Sequence, residues 1–320
     1  MYFPYFYGRQ SEFLALRDIV KDVSLNGTIV PVIEPVRLSP SDLIRCIKEL
    51  GAAEAEVLVI VNPSQGDFEK GVDGEKVKAW RKSLDESFAE FPNLMPTYMV
   101  SAKSSQQNTE RFFVRYPDRP VGLIFAGASF TAPEIKSLAS KSKVKYCGCF
   151  QEALPAVARD ALPARKAFDV RDSFNKLKRN SDYAGAEFFS HHHLTYSKKA
   201  IGFGDFLTLG SAYTSSGGQP HAIALHLTYK NPSDDSIWVE HFVSDDTQKG
   251  VGSVGEKYLQ AVRKVTKASR VRSDQFGNNS ALEAYRIDDK QRTFPGLPKN
   301  KRRQIEHHLN LIYQILNSQL

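Results

Sequence analysis

Polar side chains follow two predicted strands in the first half of the chain, at the points where those strands end. Glu34 closes an apolar run that begins at Thr28, and Asn62 closes the run that begins at Glu56; each stands directly before a proline. The residue before a proline is held extended, and the carboxyl ends of parallel strands meet at one edge of a sheet. We therefore expect Glu34 and Asn62 at a common rim.

Asp67 follows Asn62 on the same loop, after a glycine that lets the loop fold back. Carboxylate and amide oxygens are the ligands that Mg²⁺ and other divalent cations prefer. Glu34 and Asp67 are therefore predicted metal ligands, and Glu34 is also a candidate catalytic carboxylate. The alternative is structural, with Glu34 paired to an arginine such as Arg9 on the first strand.

A second group of candidates lies in the other half of the chain. Asp205 interrupts an apolar strand pattern, where an unpaired charge would be costly, so it needs a partner. By period-two alternation His241 and Asp245 share one strand face, and His226 on the neighbouring strand is expected near His241. Imidazoles and carboxylates permit acid/base or metal chemistry. The alternative is a hydrogen-bonded pair of core histidines.

Basic residues concentrate on two predicted helices near the end of the chain. The helix near 252–268 has an apolar face that leaves its cations outside, and the terminal helix begins with the basic run 299–303. If the two stretches meet in space, they form a patch that can follow nucleic-acid phosphates; the alternative is two solvated helix faces. The predicted patch consists of Arg263, Lys264, Lys267, Lys301, Arg302 and Arg303.

These candidates depend on an α/β architecture. Up to residue 150, short apolar runs alternate with amphipathic segments of helical period, which is typical of parallel strands buried on both faces between helices. The predicted strands are 2–7, 28–34, 56–62, 94–100, 121–126 and 144–150. Helices are predicted near 40–51, 74–90 and 103–116 and from 131 onward.

The second half is less regular, with a helical pattern near 166–178, strands near 199–209, 222–229 and 237–243, and helices near 252–268, 277–288 and 300–317. The short, turn-rich connector 230–236 predicts an antiparallel hairpin. The whole pattern predicts a distorted (β/α)₈, TIM-barrel-like α/β fold in one domain over 1–320, regular over 1–150 and irregular over 151–320. An open doubly wound sheet is the alternative.

Composition narrows the possible classes of protein. The chain has 320 residues, 41% hydrophobic and 25% charged, which excludes disorder, collagen and coiled coil. Residues 1–160 hold 20 Lys and Arg against 20 Asp and Glu, whereas residues 161–320 hold 23 against 16, so the net charge of +7 belongs to the second half. Any electrostatic partner, such as a nucleotide or nucleic acid, is therefore expected to meet that half if there is one.

The three cysteines are too few for a disulfide framework or a four-ligand zinc site, and Cys147 and Cys149 lie in an apolar run typical of a buried strand. We therefore expect a reducing, cytoplasmic location. No apolar run approaches the roughly 18 residues of a membrane span, and Met1–Tyr7 lacks the basic segment of a signal peptide. No membrane partner is expected.

Several catalytic signatures are absent from the sequence: the P-loop, the Gly-x-Gly-x-x-Gly fingerprint, His-Glu-x-x-His and the Gly-x-Ser-x-Gly elbow. The glycine- and serine-rich run 211–218 is a poor phosphate-binding loop, because no helical pattern follows it directly. The sequence therefore contains no complete catalytic motif.

Five segments together resemble the Beta-protein family of phages and bacteria, in a bacterial subfamily named after a myxobacterial locus. They are Tyr5–Glu12, Ile29–Pro35, Val61–Phe68, Ile201–Phe206 and His241–Asp245, in order over nearly the whole chain. The resemblance implies a single barrel-like unit, a bacterial accessory gene often found with a companion gene, and a context of mobile elements or phage defence, without an established reaction.

The resemblance also implies a shared pocket. Its members would be Arg9, Glu12, Glu34, Asn62, Asp67, Asp205, His241 and Asp245. One position departs from the family pattern: Gly204 stands where we expect a serine, which puts a hydroxyl role there in doubt.

Two functions are compatible with these observations. In the first, the protein binds a phosphate-containing ligand or a partner effector through a polar pocket at the strand ends, with Arg9, Glu12, Asn62 and Asp205 as ligand-binding residues. The ligand would be a nucleotide or nucleic acid, and the effector would come from the companion gene. The lack of a complete catalytic motif favours this function.

In the alternative, the protein is a divalent-metal-dependent phosphodiester hydrolase or nuclease-like barrel enzyme. Glu34 and Asp67 would bind Mg²⁺ or another divalent cation, which activates water and polarises the phosphoryl oxygen. Arg9 would hold the phosphate, and His241, with Asp245 on the same face, would act as acid or base.

Overall fold

The computed structural model describes residues 1–69, 73–196, 199–214 and 220–320. The chain divides into two compact units: unit 1 comprises Met1–Asp172 and Thr195–Phe206, and unit 2 comprises Ser173–Leu194 and Leu207–Leu320. The single-domain organisation expected over 1–320 stays a prediction.

Unit 1 contains an eight-stranded parallel sheet that forms a nearly closed barrel. The strands follow one another around the sheet in chain order, because the connections between them return the chain to the same end each time. They are β1 (Tyr5–Phe6), β2 (Val32–Ile33), β3 (Val57–Ile60), β4 (Leu94–Val100), β5 (Val121–Phe125), β6 (Val144–Phe150), β7 (Ala167–Arg171) and, after a strand β8 that belongs to unit 2, β9 (Gly202–Asp205).

The first and last strands of the barrel meet at Tyr2. Tyr2 forms parallel bridges with Ile29 and with Phe203, and the Phe3 N–H donates to the Phe203 carbonyl at 2.8 Å. The Phe3 ring stacks on Phe168 with centroids 3.8 Å apart. The predicted barrel-like α/β fold is therefore confirmed.

Helices separate the strands of unit 1, and polar side chains fix where several of them begin. The Asp73 carboxylate accepts from the Glu75 N–H at 2.9 Å, and the Glu134 carboxylate accepts from the Thr131 N–H at 2.7 Å, as N-terminal caps do. The helices are α1 (Gln10–Asp22), α2 (Ser41–Ala52), α3 (Gly74–Glu90), α4 (Gln106–Arg115), α5 (Ala132–Ser140) and α6 (Ala156–Asp160).

The prediction of a helix near 166–178 is wrong, because β7 occupies the start of this segment. β7 pairs with β6 on one side and β9 on the other, and it buries Phe168 and Val170 while Asp169 and Arg171 stay partly exposed. Five residues are too few to distinguish a period of two from a period of 3.6. The cysteine prediction is confirmed, since Cys147 and Cys149 are buried thiols of β6.

Unit 2 contains a three-stranded antiparallel sheet in the order β10–β11–β8. β10 and β11 pair from Ala224 with Val243 to Lys230 with Ile237, so the predicted hairpin is confirmed. The elements are β8 (Ala186–Ser190), α7 (His192–Thr195), β10 (Ala224–Lys230), β11 (Ile237–Val243), α8 (Val254–Val271), α9 (Ser273–Phe276), α10 (Ser280–Gln291) and α11 (Leu297–Leu316).

The core of unit 2 forms where one face of the hairpin packs against α8 and α10. Leu225 and Phe242 from the strands, Val262 from α8 and Tyr285 from α10 are buried members of this cluster. Burial of this kind removes apolar surface from water and stabilises the packed elements. In the part of the chain that the structure describes, no helix is long and apolar enough to cross a bilayer.

Candidate functional site

Glu34 lies at the carboxyl end of β2 and is only 3% exposed. The Tyr5 hydroxyl donates to its Oε2 at 2.7 Å, and the Ser64 N–H and hydroxyl donate to its Oε1 at 3.2 and 3.4 Å. Burial raises the pKa of Glu34, although these hydrogen bonds oppose the rise. The carboxylate is thus held by a tyrosine and a serine rather than by the arginine considered as the structural alternative.

Aromatic rings surround this carboxylate. The Tyr5 ring lies 5.1 Å from Phe150 and 5.0 Å from Phe206, and Tyr7 lies 6.2 Å from Phe206, as centroid distances. Burial, and then the charge of Glu34, raise the pKa of Tyr5 and of Tyr7 above the ordinary tyrosine value. Both hydroxyls therefore remain protonated at neutral pH, and Tyr5 can donate to Glu34.

Arg9 and Glu12 lie at the start of α1. The Arg9 N–H donates to Glu12 Oε2 at 3.1 Å, so the fully buried Glu12 caps the helix. The Arg9 guanidinium lies 5.9 Å from the centroid of the Tyr7 ring. Arg9, Glu12 and Glu34 all influence the pKa of Tyr7, so the structure brings these three predicted residues together around one tyrosine.

Asn62 and Asp67 support the backbone near the strand ends. The Asn62 amide donates to the Met99 carbonyl at 2.9 Å and accepts from the Met99 N–H at 2.8 Å. Asp67 Oδ2 accepts from the Leu38 N–H at 3.1 Å, and the Asp67 N–H donates to the Val36 carbonyl. Asn62 thus extends the β3–β4 pairing, and Asp67 joins the loops that follow β2 and β3.

Asp205 lies at the end of β9 and is 2% exposed. Its Oδ1 accepts from the Tyr2 hydroxyl at 2.7 Å. The prediction that a carboxylate in this apolar strand needs a partner is confirmed. The partner is Tyr2, which precedes β1 and forms parallel bridges with Ile29 and Phe203, so this hydrogen bond supports the closure of the sheet.

The residues predicted to bind a divalent cation have other hydrogen-bond partners. Glu34 accepts from Tyr5 and Ser64, and Asp67 accepts from a backbone N–H. Among residues 1–69, 73–196, 199–214 and 220–320, no group of three or more His, Cys, Asp or Glu side chains is arranged to hold a metal ion. The donor set therefore does not fit a closed metal site, and the metal assignment stays a prediction.

In unit 2, His241 and His226 face each other across the hairpin, as expected from their register. Their Nδ1 atoms are 2.8 Å apart, and His241 Nε2 is 3.1 Å from Glu187 Oε1. A carboxylate only accepts, so neutral His241 donates from Nε2 to Glu187 and accepts at Nδ1 from the His226 Nδ1–H. Asn175 donates to the other Glu187 oxygen at 3.2 Å.

Burial determines the protonation of this pair. It lowers the pKa of His226 to about 3, with the neighbouring His241 adding to the effect. It also lowers the pKa of His241, although Glu187 opposes that shift. Both imidazoles are therefore neutral at pH 7, and both His241 nitrogens are engaged while its side chain is 2% exposed.

A cavity of about 660 Å³ lies between β11 and α8, and we call it the β11–α8 cavity. Cations, hydroxyls and aromatic rings line it, including Tyr183, His241, Phe242, Ser244, Lys264, Lys267 and Arg272. Glu240 is the one carboxylate among the residues that line it, and Arg272 forms an ion pair with it. The lining therefore carries an excess of positive charge.

The structure brings Asp245 together with one residue of the predicted basic patch. Lys264 Nζ is 2.7 Å from Asp245 Oδ1 and donates to the Val243 carbonyl at 2.6 Å. Lys267, one turn further along α8, is exposed, and no described residue forms an ion pair or hydrogen bond with its ammonium group. His241, Asp245 and the two lysines thus lie at or beside one cavity.

The remaining residues of the predicted patch separate into exposed and buried positions. Arg263 is exposed on α8, Lys301 is half-buried on α11, and Arg302 pairs with Glu306 at 2.7 Å. Arg303 is 7% exposed and forms a buried ion pair with Asp288. The assignment of Arg303 to a nucleic-acid surface is therefore wrong, because its guanidinium binds α10 from inside the unit.

Sequence reasoning missed Glu187, Tyr183 and Arg272, which complete the surroundings of His241 and the cavity. Glu187 belongs to β8, within the segment 151–197 that gave no strand prediction, although Phe188 and Phe189 follow it. The run Ala186–Phe189 was the available signal for an edge strand. In the run 211–218, residues 215–218 lie outside the described residues.

Comparisons with protein-family models and with curated proteins find no match for this chain. The resemblance to the Beta-protein family therefore stays a prediction.

Proposed function

We propose that the protein binds a phosphate-containing ligand in the β11–α8 cavity, and that the backbone of a single-stranded nucleic acid is the ligand chemistry that fits best. The observation that carries the proposal is Lys267, an exposed ammonium group that no described residue pairs, beside Lys264 in a hydroxyl-lined cavity. A phosphate oxygen can accept a hydrogen bond from this ammonium group and is attracted by its charge.

The exposed face of α8 supports a ligand longer than a single phosphate. Arg263 and Arg270 are exposed on the same helix as the two lysines, and no described residue pairs with either guanidinium. A row of cations along one helix matches the repeated charges of a nucleic-acid strand. Tyr183 adds an aromatic ring to the cavity lining.

The lysine proposal is tested by equilibrium binding of a fluorescently labelled oligonucleotide of about 16 nucleotides. We expect Lys267→Gln to weaken binding by about 1 kcal/mol, roughly fivefold, because one charged phosphate contact is lost. The matched control is Lys290→Gln on α10, which removes an exposed lysine that does not line the cavity. Equal affinities of the Lys267 and Lys290 variants, or no binding by the wild-type protein, would contradict the proposal.

The hydrolase function has less support from the geometry. His241, its predicted acid or base, has both ring nitrogens bonded within the protein and a nearly inaccessible side chain. A general base must reach the proton that it removes. The hydrogen bonds that join Glu187, His241 and His226 hold the hairpin against β8, which is a structural role. We therefore favour a binding function over hydrolysis.

The resemblance to the Beta-protein family adds a companion protein, encoded by a neighbouring gene, to this proposal. The predicted role is that of a bacterial accessory protein in phage defence, which presents a bound nucleic acid to that companion. Co-expression of both genes should give a complex that co-elutes in size-exclusion chromatography. Separate elution, with and without oligonucleotide, would remove the companion from the proposal.

A further inference from the structure

A groove on unit 1, separate from the residues considered so far except Asn62, lies beside α3 and α4 and has a volume of about 460 Å³. We call it the α3–α4 groove; its polar lining is Asn62, Arg81, Tyr98, Asn108, Arg111, Arg115 and Tyr116. Three guanidinium groups and no carboxylate face this space. The volume lies within the range of small-molecule sites.

One arginine of the groove is already neutralised, and two are not. Arg115 forms an ion pair with Asp85, which also accepts from the Tyr116 hydroxyl at 2.8 Å. Within the described ranges, no acidic side chain pairs with Arg81 or Arg111. The groove therefore presents two uncompensated positive charges.

Arg81 carries a more specific signal. Its Nε is buried and has no hydrogen-bond acceptor among the described residues. A buried N–H without an acceptor costs free energy, so the described residues leave the Arg81 guanidinium incompletely compensated. Arg81 comes from α3 and Arg111 from α4, so the two guanidinium groups reach the groove from different helices.

Further donors lie in the same groove. Asn108, Arg111 and Arg115 are three and four residues apart on α4 and share one helix face. The Tyr98 hydroxyl has no hydrogen-bond partner among the described residues, and the Tyr98 ring lies 5.3 Å from Phe112 by centroids. The groove thus combines hydrogen-bond donors with aromatic rings.

We propose that the α3–α4 groove binds the phosphate monoester of a small organic molecule. A phosphate monoester carries about two negative charges at neutral pH, which matches the two unpaired guanidinium groups, and arginine forks bind phosphate oxygens in pairs. The groove is larger than inorganic phosphate needs, so the ester carries an organic part that rests on Tyr98 and Phe112.

The proposal is tested by calorimetric titration of the full chain with adenosine monophosphate, inorganic phosphate and succinate. We expect adenosine monophosphate to bind more tightly than the other two. Arg111→Gln, at an exposed position, should weaken its binding about tenfold through loss of a charged hydrogen-bond pair, and Arg81→Gln should do the same. Arg165→Gln, at an exposed arginine outside the groove, should leave binding unchanged.

Thermal unfolding provides a second measurement, and a cooperative transition also shows that each variant is folded. Adenosine monophosphate should raise the Tm of the wild-type protein and not that of Arg111→Gln. Tighter binding of succinate, equal weakening in the Arg165 variant, or no binding of any probe at millimolar concentration would overturn the proposal. Lys267→Gln should not change adenosine monophosphate binding, which distinguishes this groove from the β11–α8 cavity.

Discussion

Single residues show how far sequence reasoning about polar side chains extends. The need of Asp205 for a partner and the proximity of His226 and His241 follow from strand patterns, because a hairpin register places cross-strand residues together. The identity of the Asp205 partner, Tyr2, does not follow, since 203 residues separate the two. Likewise, the chemistry of Glu34 depends on Ser64, which reaches it from a different loop.

His307 illustrates a residue whose environment the helical pattern mispredicts. Helical spacing places it off the stripe formed by Ile305, Leu309 and Ile312. It is nevertheless fully buried, and its Nε2 donates to the Thr228 carbonyl at 2.8 Å. Burial lowers its pKa to about 4, while the Thr228 hydrogen bond opposes the shift. A polar face of α11 packs against a strand, which a one-dimensional hydrophobicity pattern does not reveal.

This burial predicts a pH dependence of stability. As the pH is lowered from about 8 to 5, His307 becomes protonated in the unfolded chain, where its pKa is about 6.5. In the folded protein His307 stays neutral over this range. The free energy of unfolding should therefore decrease as the pH is lowered, by about 2 kcal/mol from this residue alone. Urea titrations should show a shallower fall in His307→Gln, which keeps an N–H donor, and an unchanged fall in His221→Gln at an exposed position. Parallel pH profiles for wild type and His307→Gln would refute this assignment.

At the scale of elements, α11 protects the edge of the unit 2 sheet. β10 is an edge strand, and its outward backbone groups bond to α11: the His226 N–H donates to Gln304 at 2.8 Å, and the Thr228 carbonyl accepts from His307. Edge strands with free backbone groups invite pairing with other chains. The hairpin was predictable from its turn. The packing of α11 on β10 was not, because its two hydrogen bonds join residues that are 78 and 79 positions apart in the chain.

The segment Met1–Phe3, which precedes β1, lies so close to β9 that Gly202 and Gly204 leave no room for a Cβ. A Cβ on Gly204 would lie 2.2 Å from the Phe3 carbonyl oxygen, which also explains why the serine expected from the family resemblance is not accommodated here. We expect Gly204→Ser to lower the free energy of unfolding by about 2 kcal/mol or more, through overpacking at the barrel closure. Urea unfolding measures the loss.

The matched control for that prediction is Gly74→Ser at the start of α3, where a Cβ meets nothing within 4 Å. It should change the free energy of unfolding by less than about 1 kcal/mol. Equal stability of the Gly204 variant and the wild-type protein would show that the first and last strands are less closely apposed than described.

At the scale of the whole molecule, the sequence predicts the barrel well and the second unit only in part. The regular repeats to residue 150 are visible because each buried parallel strand is a continuous apolar run. β7 and β8 are not visible, because each has only five residues, and charged side chains interrupt the apolar pattern of both: Asp169 and Arg171 in β7 and Glu187 in β8. Residues 161–320 do contain an excess of basic residues. However, Arg302 and Arg303 form ion pairs within unit 2, with Glu306 and Asp288, and these pairs neutralise their charges.

The charge that remains for a ligand lies on α8, and its salt dependence tests the central proposal most directly. The logarithm of the binding constant for a labelled single-stranded oligonucleotide should fall linearly with the logarithm of salt concentration. Each phosphate contact contributes a slope of about −0.7. We predict that Lys267→Gln reduces the slope by about that amount, while Lys290→Gln keeps the wild-type slope. Identical slopes for the wild-type protein and Lys267→Gln would contradict a phosphate contact in the β11–α8 cavity.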